Sequence, residues 1–265
     1  MTILHVTDLH FHQRWFDWLR HCAPAHDLLV ISGDLLDLVD RTPQRTQIEW
    51  VSGWLASYPR PLVVCSGKHD LEWDPVEERW RPAYWLRALA RPGLWTDGDT
   101  AEFDGLSVLS IGATTRPKGG AADCWVVHTP PSRTAVATRR SGGDAGDPRL
   151  SAAVQHYRPR LVFSGHVHAP LHWCGQSGGT LVLNPGHDAS AGFPPHILVH
   201  TDPLTCEFIR AGAPREIFVL APPLPAGRAD DDSVFPPEDE RARARVSSLP
   251  SQPELLLSTS DHSHS

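Results

Sequence analysis

The sequence predicts an α/β protein, α+β-like in its second half, in which two packed, mixed β-sheets are flanked by helices. Two patterns lead to this fold class. The first 220 or so residues alternate strand-like and helix-like segments. After Gly165, short strand-like runs follow one another and are separated by Gly and Pro. An α/β half followed by a strand-rich half is accommodated by two packed sheets with helices outside.

Local patterns predict the individual elements in chain order. Helical spacing of apolar residues predicts a helix over Pro43–Ser57, in which Pro43 suits the first turn. A hairpin is predicted over Glu102–Ile111, with Asp104-Gly105 as its turn. Other helices are predicted at Arg14–Arg20, at Leu150–Tyr157 and in part of Trp73–Ala90. The predicted strands are Ile3–Thr7, Leu28–Ser32, Leu62–Ser66, Trp125–Val127, Leu161–Ser164, Leu171–Cys174, Thr180–Leu183, His196–His200, Thr205–Ile209 and Glu216–Leu220.

Composition and charge narrow the function classes. Residues 1–221 of the 265 are predicted to form one domain, and the Pro-, Ser- and charge-rich residues 222–265 a disordered tail. No apolar run reaches the ~20 residues of a membrane span. The net charge of −7 argues against nucleic acid as a partner, because nucleic-acid binding usually needs a basic face. Five scattered cysteines and the lack of a basic-then-apolar leader predict reduced thiols in a cytoplasmic protein.

Five short islands of Asp, His and Gly are the most informative feature of the chain. Each directly follows a predicted strand, so all of them fall at carboxyl ends of strands, where open α/β sheets place their sites. Carboxylate and imidazole groups together suit a divalent transition metal. The islands are Asp8-Leu9-His10, Gly33-Asp34-Leu35-Leu36-Asp37, Gly67-Lys68-His69-Asp70, His128-Thr129-Pro130-Pro131 and Gly165-His166-Val167-His168.

The order and content of these islands resemble the calcineurin-like metallophosphoesterases. The resemblance covers roughly residues 2–220 and includes Leu181–Gly186 (LVLNPG), which is similar to the strand and turn that follow GHxH in that family. One island alone occurs by chance, whereas five in this order at strand ends are specific. The resemblance implies a metallophosphoesterase-type sandwich that holds one or two divalent ions. Manganese, iron, nickel and zinc are all compatible with His and carboxylate ligands.

The resemblance also implies a role for each residue that matches the family pattern. His69 would protonate the leaving oxygen or contact the phosphoryl group. Asp37, one helical turn beyond Asp34, would orient His69, as a carboxylate often does for an imidazole. The ligands of the first metal would be Asp8, His10, Asp34 and His168, and those of the second metal Asp34, His128 and His166.

Lys68 departs from the family pattern, which usually has an Asn ligand of the second metal at this place. A protonated lysine has no acceptor and cannot bind a cation. An ammonium ~4 Å from a divalent ion would cost about 8 kcal/mol at an effective dielectric of 20. Keeping the amine neutral at pH 7 would cost about 4–5 kcal/mol. Lys68 is therefore a neutral ligand, an ammonium in place of the second metal, or an outward-pointing side chain; the second option is favoured.

The sequence therefore predicts a metal-dependent phosphoesterase, and a phosphodiesterase is the favoured type. In this reaction a metal-bound hydroxide attacks a small nucleotide-like or other phosphodiester, and His69 assists the leaving group. The His-Thr-Pro-Pro island and the compact GHVH–LNPG segment look most like those of small single-domain phosphodiesterases. Two alternatives stay open. Lys68 motivates a phosphoesterase-fold protein that binds a nucleotide or partner but turns over poorly, and a nuclease would need a basic groove. Among the other histidines, His5 is interpreted as structural and His187 mainly as a loop residue.

Overall fold

The computed structural model describes residues 1–115 and 122–219, and within them the chain forms fifteen strands and four α-helices. The helices are α1 (Gln13–Cys22), α2 (Gln44–Ser57), α3 (Tyr84–Arg87) and α4 (Pro148–Tyr157). The strands are β1 (Thr2–Val6), β2 (Leu28–Ser32), β3 (Leu62–Cys65), β4 (Glu72–Asp74), β5 (Arg79–Arg81), β6 (Leu94–Trp95), β7 (Thr100–Phe103), β8 (Leu106–Ile111), β9 (Cys124–Val127), β10 (Leu161–Phe163), β11 (Cys174–Ser177), β12 (Thr180–Leu183), β13 (His196–Thr201), β14 (Leu204–Ile209) and β15 (Glu216–Val219).

Two mixed sheets carry the fold. The first has the strand order β15-β14-β13-β1-β2-β3-β6, and the second has the order β11-β12-β10-β9-β8-β7. In the first sheet, β1, β2, β3 and β6 are parallel and β13 joins β1 in antiparallel fashion. In the second sheet, β8, β9, β10 and β12 are parallel. The predicted pair of mixed sheets is confirmed.

Successive side chains of the central strands point to opposite faces of the sheet and pack in two different apolar clusters. On β1, Leu4 and Val6 pack in the cluster that also holds Trp15 and Leu55 of α1 and α2. Ile3, on the opposite face, belongs to the apolar cluster between the two sheets. A third cluster packs α4 on the outer face of the second sheet. The molecule therefore has four layers, helix–sheet–sheet–helix, as the sequence predicted.

Proline residues stand at the starts of two helices, and α4 begins two residues before the predicted Leu150. The carboxylate of Asp147 accepts a hydrogen bond from the amide of Arg149, which caps α4, and Pro148 occupies its first position. Pro43 stands directly before α2, so this helix begins one residue later than predicted. The predicted hairpin with its Asp104-Gly105 turn is confirmed as β7 and β8.

Two segments show how far the local prediction holds. Half of the segment predicted as partly helical, Trp73–Ala90, belongs to the β4–β5 hairpin, and its helical part is the single turn α3. Asp74 accepts from the amides of Val76 and Glu77, which builds a turn, and Trp73 pairs across the hairpin with Trp80. The strand predicted at Leu171–Cys174 begins only at Cys174, because the Leu171 amide bonds to the Thr138 carbonyl instead of joining the sheet.

All five cysteines are unpaired, as predicted. No helix in the described ranges has the length and apolar character needed to cross a bilayer. The tail predicted from residue 222 onward lies outside the described residues, and the single domain over residues 1–221 stays a prediction.

Candidate metal centre

The five islands converge because the parallel strands of both sheets end at one edge. Strands β1, β2 and β3 of the first sheet lead into Asp8, Asp34 and His69. Strands β9 and β10 of the second sheet lead into His128 and the His166–His168 segment. Loops at the carboxyl ends of neighbouring parallel strands are the usual site of ligand binding in α/β proteins.

Asp8, His10 and His168 form one group of converging atoms. The Nε2 atoms of His10 and His168 are 3.0 Å apart. Asp8 Oδ1 lies 3.7 Å from the first of these nitrogens and 3.4 Å from the second. The other oxygen, Asp8 Oδ2, accepts hydrogen bonds from the Thr7 hydroxyl and the His166 amide. One carboxylate oxygen is thus fixed by protein donors while the other points to the two imidazoles.

Asp34 links this group to a second one. Its Oδ2 lies 3.9 Å from His10 Nε2 on one side and 3.1 Å from His128 Nε2 on the other. Its Oδ1 accepts from the backbone amide of His69. His128 donates Nδ1–H to the carbonyl of Ser32 at 2.9 Å, which leaves Nε2 as the nitrogen that faces Asp34. Asp34 therefore lies between the two groups and faces an imidazole of each.

Two atoms of these groups lack a hydrogen-bond partner. Asp8 Oδ1 and His128 Nε2 are buried, and neither has a partner among the described residues. Leaving a buried polar atom unpaired is costly, and a divalent cation bound by carboxylate oxygen and imidazole nitrogen would satisfy both atoms. The donor set fits a transition metal on this ground.

Four residues of the candidate site share an unusual, left-handed backbone conformation. Asp8, His10, Asp34 and His166 all have positive φ values, between 41° and 68°. Non-glycine residues rarely adopt this left-handed conformation, and when they do the strain often accompanies a functional site. Gly67 lets the third island approach Asp34, since an added Cβ would lie 2.8 Å from the carboxylate carbon of Asp34.

Charges within the site reinforce one another. Burial alone would raise the pKa of Asp34 and lower that of His128. Their mutual attraction outweighs burial, so the pKa of Asp34 is lowered and that of His128 is raised to about 9. Burial also opposes ionisation of Asp8, yet the nearby imidazoles of His168 and His128 lower its pKa. A bound cation would take the place of the His128 proton, so metal binding should release protons.

His69 is oriented by the backbone rather than by the predicted carboxylate. Asp37 Oδ1 lies 3.9 Å from His69 Nδ1, which is too far for a hydrogen bond. The amide of Leu38 donates to that nitrogen at 3.2 Å. Because a backbone N–H can only donate, the neutral ring carries its proton on Nε2. The Asp34–Asp37 segment is irregular, so Asp37 is not one helical turn from Asp34.

Asp70 joins the second and third islands. Its two oxygens accept from the amides of Leu35, Leu36 and Gly67, at 2.7–3.0 Å. Burial and the neighbouring Asp34 raise the pKa of this carboxyl to about 7. Asp70 therefore positions the loops that carry Asp34 and His69.

Sequence comparison assigns the fold to a family. A sequence profile described as calcineurin-like phosphoesterase matches residues 1–170. The chain belongs to the calcineurin-like phosphoesterase family. The protein is accordingly a metal-dependent phosphoric ester hydrolase, with a phosphate ester as substrate, and this family uses divalent metal ions. No curated protein matches the chain at a significant level.

Two solved structures illustrate the likeness of fold. TT1561 of Thermus thermophilus superposes with a TM-score of 0.55 at 15% identity, over 79% of this chain and 99% of that chain. A purple acid phosphatase from yellow lupin (Lupinus luteus) seeds superposes with a TM-score of 0.52 at 11% identity, over 79% of this chain and 51% of that chain. The calcineurin-like fold predicted from the islands is confirmed.

His166 and Lys68 also occupy positions of the family pattern, but neither belongs to the two groups of converging atoms around Asp8 and Asp34. The ring centroid of His166 is 5.3 Å from that of His128, and burial lowers the pKa of His166 to about 4. The Lys68 side chain is exposed, and it makes no ion pair with a carboxylate within the described ranges. The positive charge of Lys68 also contributes to the low pKa of His166, so this ammonium lies near the second set of ligands, and its role there stays a prediction.

Two residues of the phosphoesterase site carry more contacts than the sequence indicated. His187 donates Nδ1–H to the carbonyl of Asp8 at 2.7 Å, and its ring lies 4.7 Å from that of His168. Asn184 donates to the carbonyls of Gly165 and Val167 and thereby holds the last island. The LVLNPG resemblance marked this turn, but the contact between His187 and Asp8 spans 179 residues and left no local signal.

Proposed function

We propose that this phosphoesterase is a phosphodiesterase that acts on a small nucleotide-like or other phosphodiester. The observation that carries the phosphoesterase chemistry is Asp34 Oδ2, placed between His10 Nε2 at 3.9 Å and His128 Nε2 at 3.1 Å. A carboxylate in this position is suited to bridge two cations that hold one phosphate. The ligands of the first ion would be Asp8, His10, Asp34 and His168, and those of the second Asp34, His128 and His166.

Preference for a diester rests on the surroundings of the site. A cavity of 270 Å³ begins at His168 and His187, so there is room for a second ester arm. The His-Thr-Pro-Pro island and the compact GHVH–LNPG segment resemble those of small phosphodiesterases. A phosphomonoester would leave this cavity empty.

The residues of the site have different roles in the proposed reaction. Bound divalent ions would neutralise charge on the phosphate and lower the pKa of a water molecule. His69 carries a proton on Nε2 and is suited to donate it to the leaving oxygen. The Ser32 carbonyl keeps Nε2 of His128 free for a ligand role, and the Asp8 carbonyl holds the ring of His187 beside that of His168. Manganese, iron, nickel and zinc all suit this donor set.

The test is hydrolysis of bis(p-nitrophenyl) phosphate and of p-nitrophenyl phosphate with manganese, iron, nickel, zinc or magnesium. We expect metal-dependent hydrolysis that favours the diester and is lost in Asp34→Asn. Asp17→Asn is the matched control, because Asp17 is exposed on α1. Activity retained in Asp34→Asn would refute the site. Absence of hydrolysis with every metal, together with stabilisation by nucleotides, would favour a binding protein with weak turnover.

A further inference from the structure

A cavity beside the proposed metal site has walls of mixed character. It measures 270 Å³ and begins at His168 and His187. Trp173 and Phe208 supply aromatic walls, while Arg140 and Arg210 supply positive charge. Complete ligand pockets are usually about 300–1,000 Å³. The cavity therefore suits a fragment of a substrate whose reacting phosphate lies outside it.

The two carboxylates that line the cavity are already engaged. Glu216 Oε2 accepts from the indole of Trp173 at 2.8 Å, and its Oε1 lies 3.9 Å from Arg210 Nη2. Asp188 accepts from the amide and hydroxyl of Ser190. Neither carboxylate contacts Arg140 within 4 Å in the described ranges. Both oxygens of Glu216 and one oxygen of Asp188 thus face partners within the protein.

The two guanidinium groups retain capacity for a ligand. The Arg140 side chain is exposed and makes no hydrogen bond or ion pair with the described residues. Its amide donates to the carbonyl of Ala169 at 2.9 Å, which fixes Arg140 next to the residue that follows His168. Arg210 Nε is buried and has no hydrogen-bond partner among the described residues. A guanidinium presents donors in a planar fork that matches a phosphate or carboxylate.

The position of the cavity indicates which part of the substrate would enter it. The ring of His10 contacts that of His69 at 4.6 Å and that of His168 at 5.0 Å, so His10 lies between them. His69 is the group suited to protonate the leaving oxygen. The cavity lies at the other neighbour, His168. It therefore faces the ester arm that remains on phosphorus after cleavage.

We propose that this cavity is a subsite for an anionic group on the retained ester arm, and that Arg140 is its specificity-determining residue. The preferred substrate is then a phosphodiester whose retained arm carries a further phosphate or carboxylate. Arg140 supplies the free guanidinium, and Arg210 supplies a second donor from the cavity wall. This inference rests on the proposed phosphodiesterase function and narrows its substrate class.

Two chromogenic probes that differ by one phosphate test the proposal. They are thymidine 5′-(p-nitrophenyl phosphate) and the same ester with a 3′-phosphate. The wild type should have a kcat/KM about tenfold or more higher for the 3′-phosphorylated probe, chiefly through KM, as a charge-assisted hydrogen bond would give. A probe with a 3′-carboxymethyl group in place of the phosphate shows whether a carboxylate is accepted equally.

Variants at neighbouring arginines separate the subsite from general surface charge. Arg140→Gln should reduce kcat/KM for the 3′-phosphorylated probe to the value for the unphosphorylated one, and Arg140→Lys should restore part of the preference. Arg139→Gln is the matched control, because Arg139 is adjacent and exposed but does not line the cavity. It should keep the full wild-type preference.

A binding measurement keeps the proposal testable if turnover is slow. By titration calorimetry with metal-loaded protein, thymidine 3′,5′-bisphosphate should bind about tenfold tighter than thymidine 5′-monophosphate, and Arg140→Gln should abolish the difference. Equal wild-type values for the paired ligands, or equal losses in Arg140→Gln and Arg139→Gln, would overturn the subsite. Absence of hydrolysis of both probes with the binding difference intact would count against the phosphodiesterase function alone.

Discussion

At the scale of single residues, the site combines fixed and free atoms of the same side chain. Asp8 and Asp34 each give one oxygen to protein donors and turn the other toward imidazoles. His128 and His187 each fix Nδ1 on a backbone carbonyl. These contacts hold the ligand atoms in place before a cation binds, which reduces the reorganisation that binding requires.

Lys68 is the residue whose replacement should change metal binding most directly. An asparagine there would remove a positive charge beside the second set of ligands and add an amide oxygen. We expect Lys68→Asn to tighten binding of a second divalent ion about 10- to 100-fold, the usual range for a changed contact at a metal site. Titration of the metal-free protein with zinc against a competing chelator measures this affinity.

A second variant at position 68 separates charge from ligation. Lys68→Ala removes the ammonium but adds no oxygen, so it should give only the electrostatic part of the gain. If Lys68→Asn binds the second ion no more tightly than the wild type, the amide oxygen and the lost charge both lie too far from the site to matter.

At the scale of elements, glycines show where close packing fixes the site. An added Cβ at Gly67 would lie 2.5 Å from the amide nitrogen of Asp34 and 2.8 Å from its carboxylate carbon. An added Cβ at Gly53, within α2, would meet nothing within 4 Å. Gly67→Ala should therefore displace Asp34 and lower the free energy of unfolding by about 1–3 kcal/mol. Gly53→Ala should raise it by about 0.5–1 kcal/mol, because alanine favours the helix.

Urea unfolding and metal titration of both variants check this expectation. Gly67→Ala should also lose metal affinity, whereas Gly53→Ala should bind metal as the wild type does. Wild-type stability together with wild-type metal affinity in Gly67→Ala would show that the Asp34 loop shifts without consequence.

The elements that the sequence could predict are those whose signals are local. Runs of β-branched residues that end in Asp or His located the site strands, and the Asp104-Gly105 turn located a hairpin. Within Trp73–Ala90, which was predicted to be helical in part, only α3 is helical, because Trp73 pairs with Trp80 across a turn. Helical and hairpin patterns of aromatic residues look alike in so short a run. The environment of Asp37 was unpredictable, because Gln47 from α2 bonds both its amide and its carbonyl.

At the scale of the whole molecule, a buried histidine lies where the two sheets meet. His5 lies on β1, and its ring centroid is 5.0 Å from that of Phe163 on β10 of the other sheet. Its Nε2 lies 2.9 Å from the Ser32 hydroxyl, and its Nδ1 is buried without a partner among the described residues. Burial lowers the pKa of His5 to about 3. The interface between the sheets therefore requires a neutral imidazole.

This requirement should make stability fall in mildly acidic solution. The pKa of His5 is lower in the folded protein than in the unfolded chain, so on acidification the unfolded chain binds a proton first. The contribution is fully present above the unfolded pKa of about 6.5 and is lost as pH falls toward 3. Between pH 7 and pH 5 this one group should lower the free energy of unfolding by about 2 kcal/mol. His5→Gln should be less stable at pH 7 but lack this part of the pH dependence.

Urea unfolding in the presence of chelator at pH 7 and pH 5 measures the difference between the two proteins. Other histidines also titrate between pH 7 and pH 5. The quantity to compare is therefore the decrease in unfolding free energy of the wild type between these pH values, minus the same decrease in His5→Gln. His156→Gln is the matched control, because His156 is exposed on α4 and should leave the wild-type loss unchanged. If His5→Gln loses as much stability as the wild type between these pH values, the contact between the sheets tolerates a protonated His5.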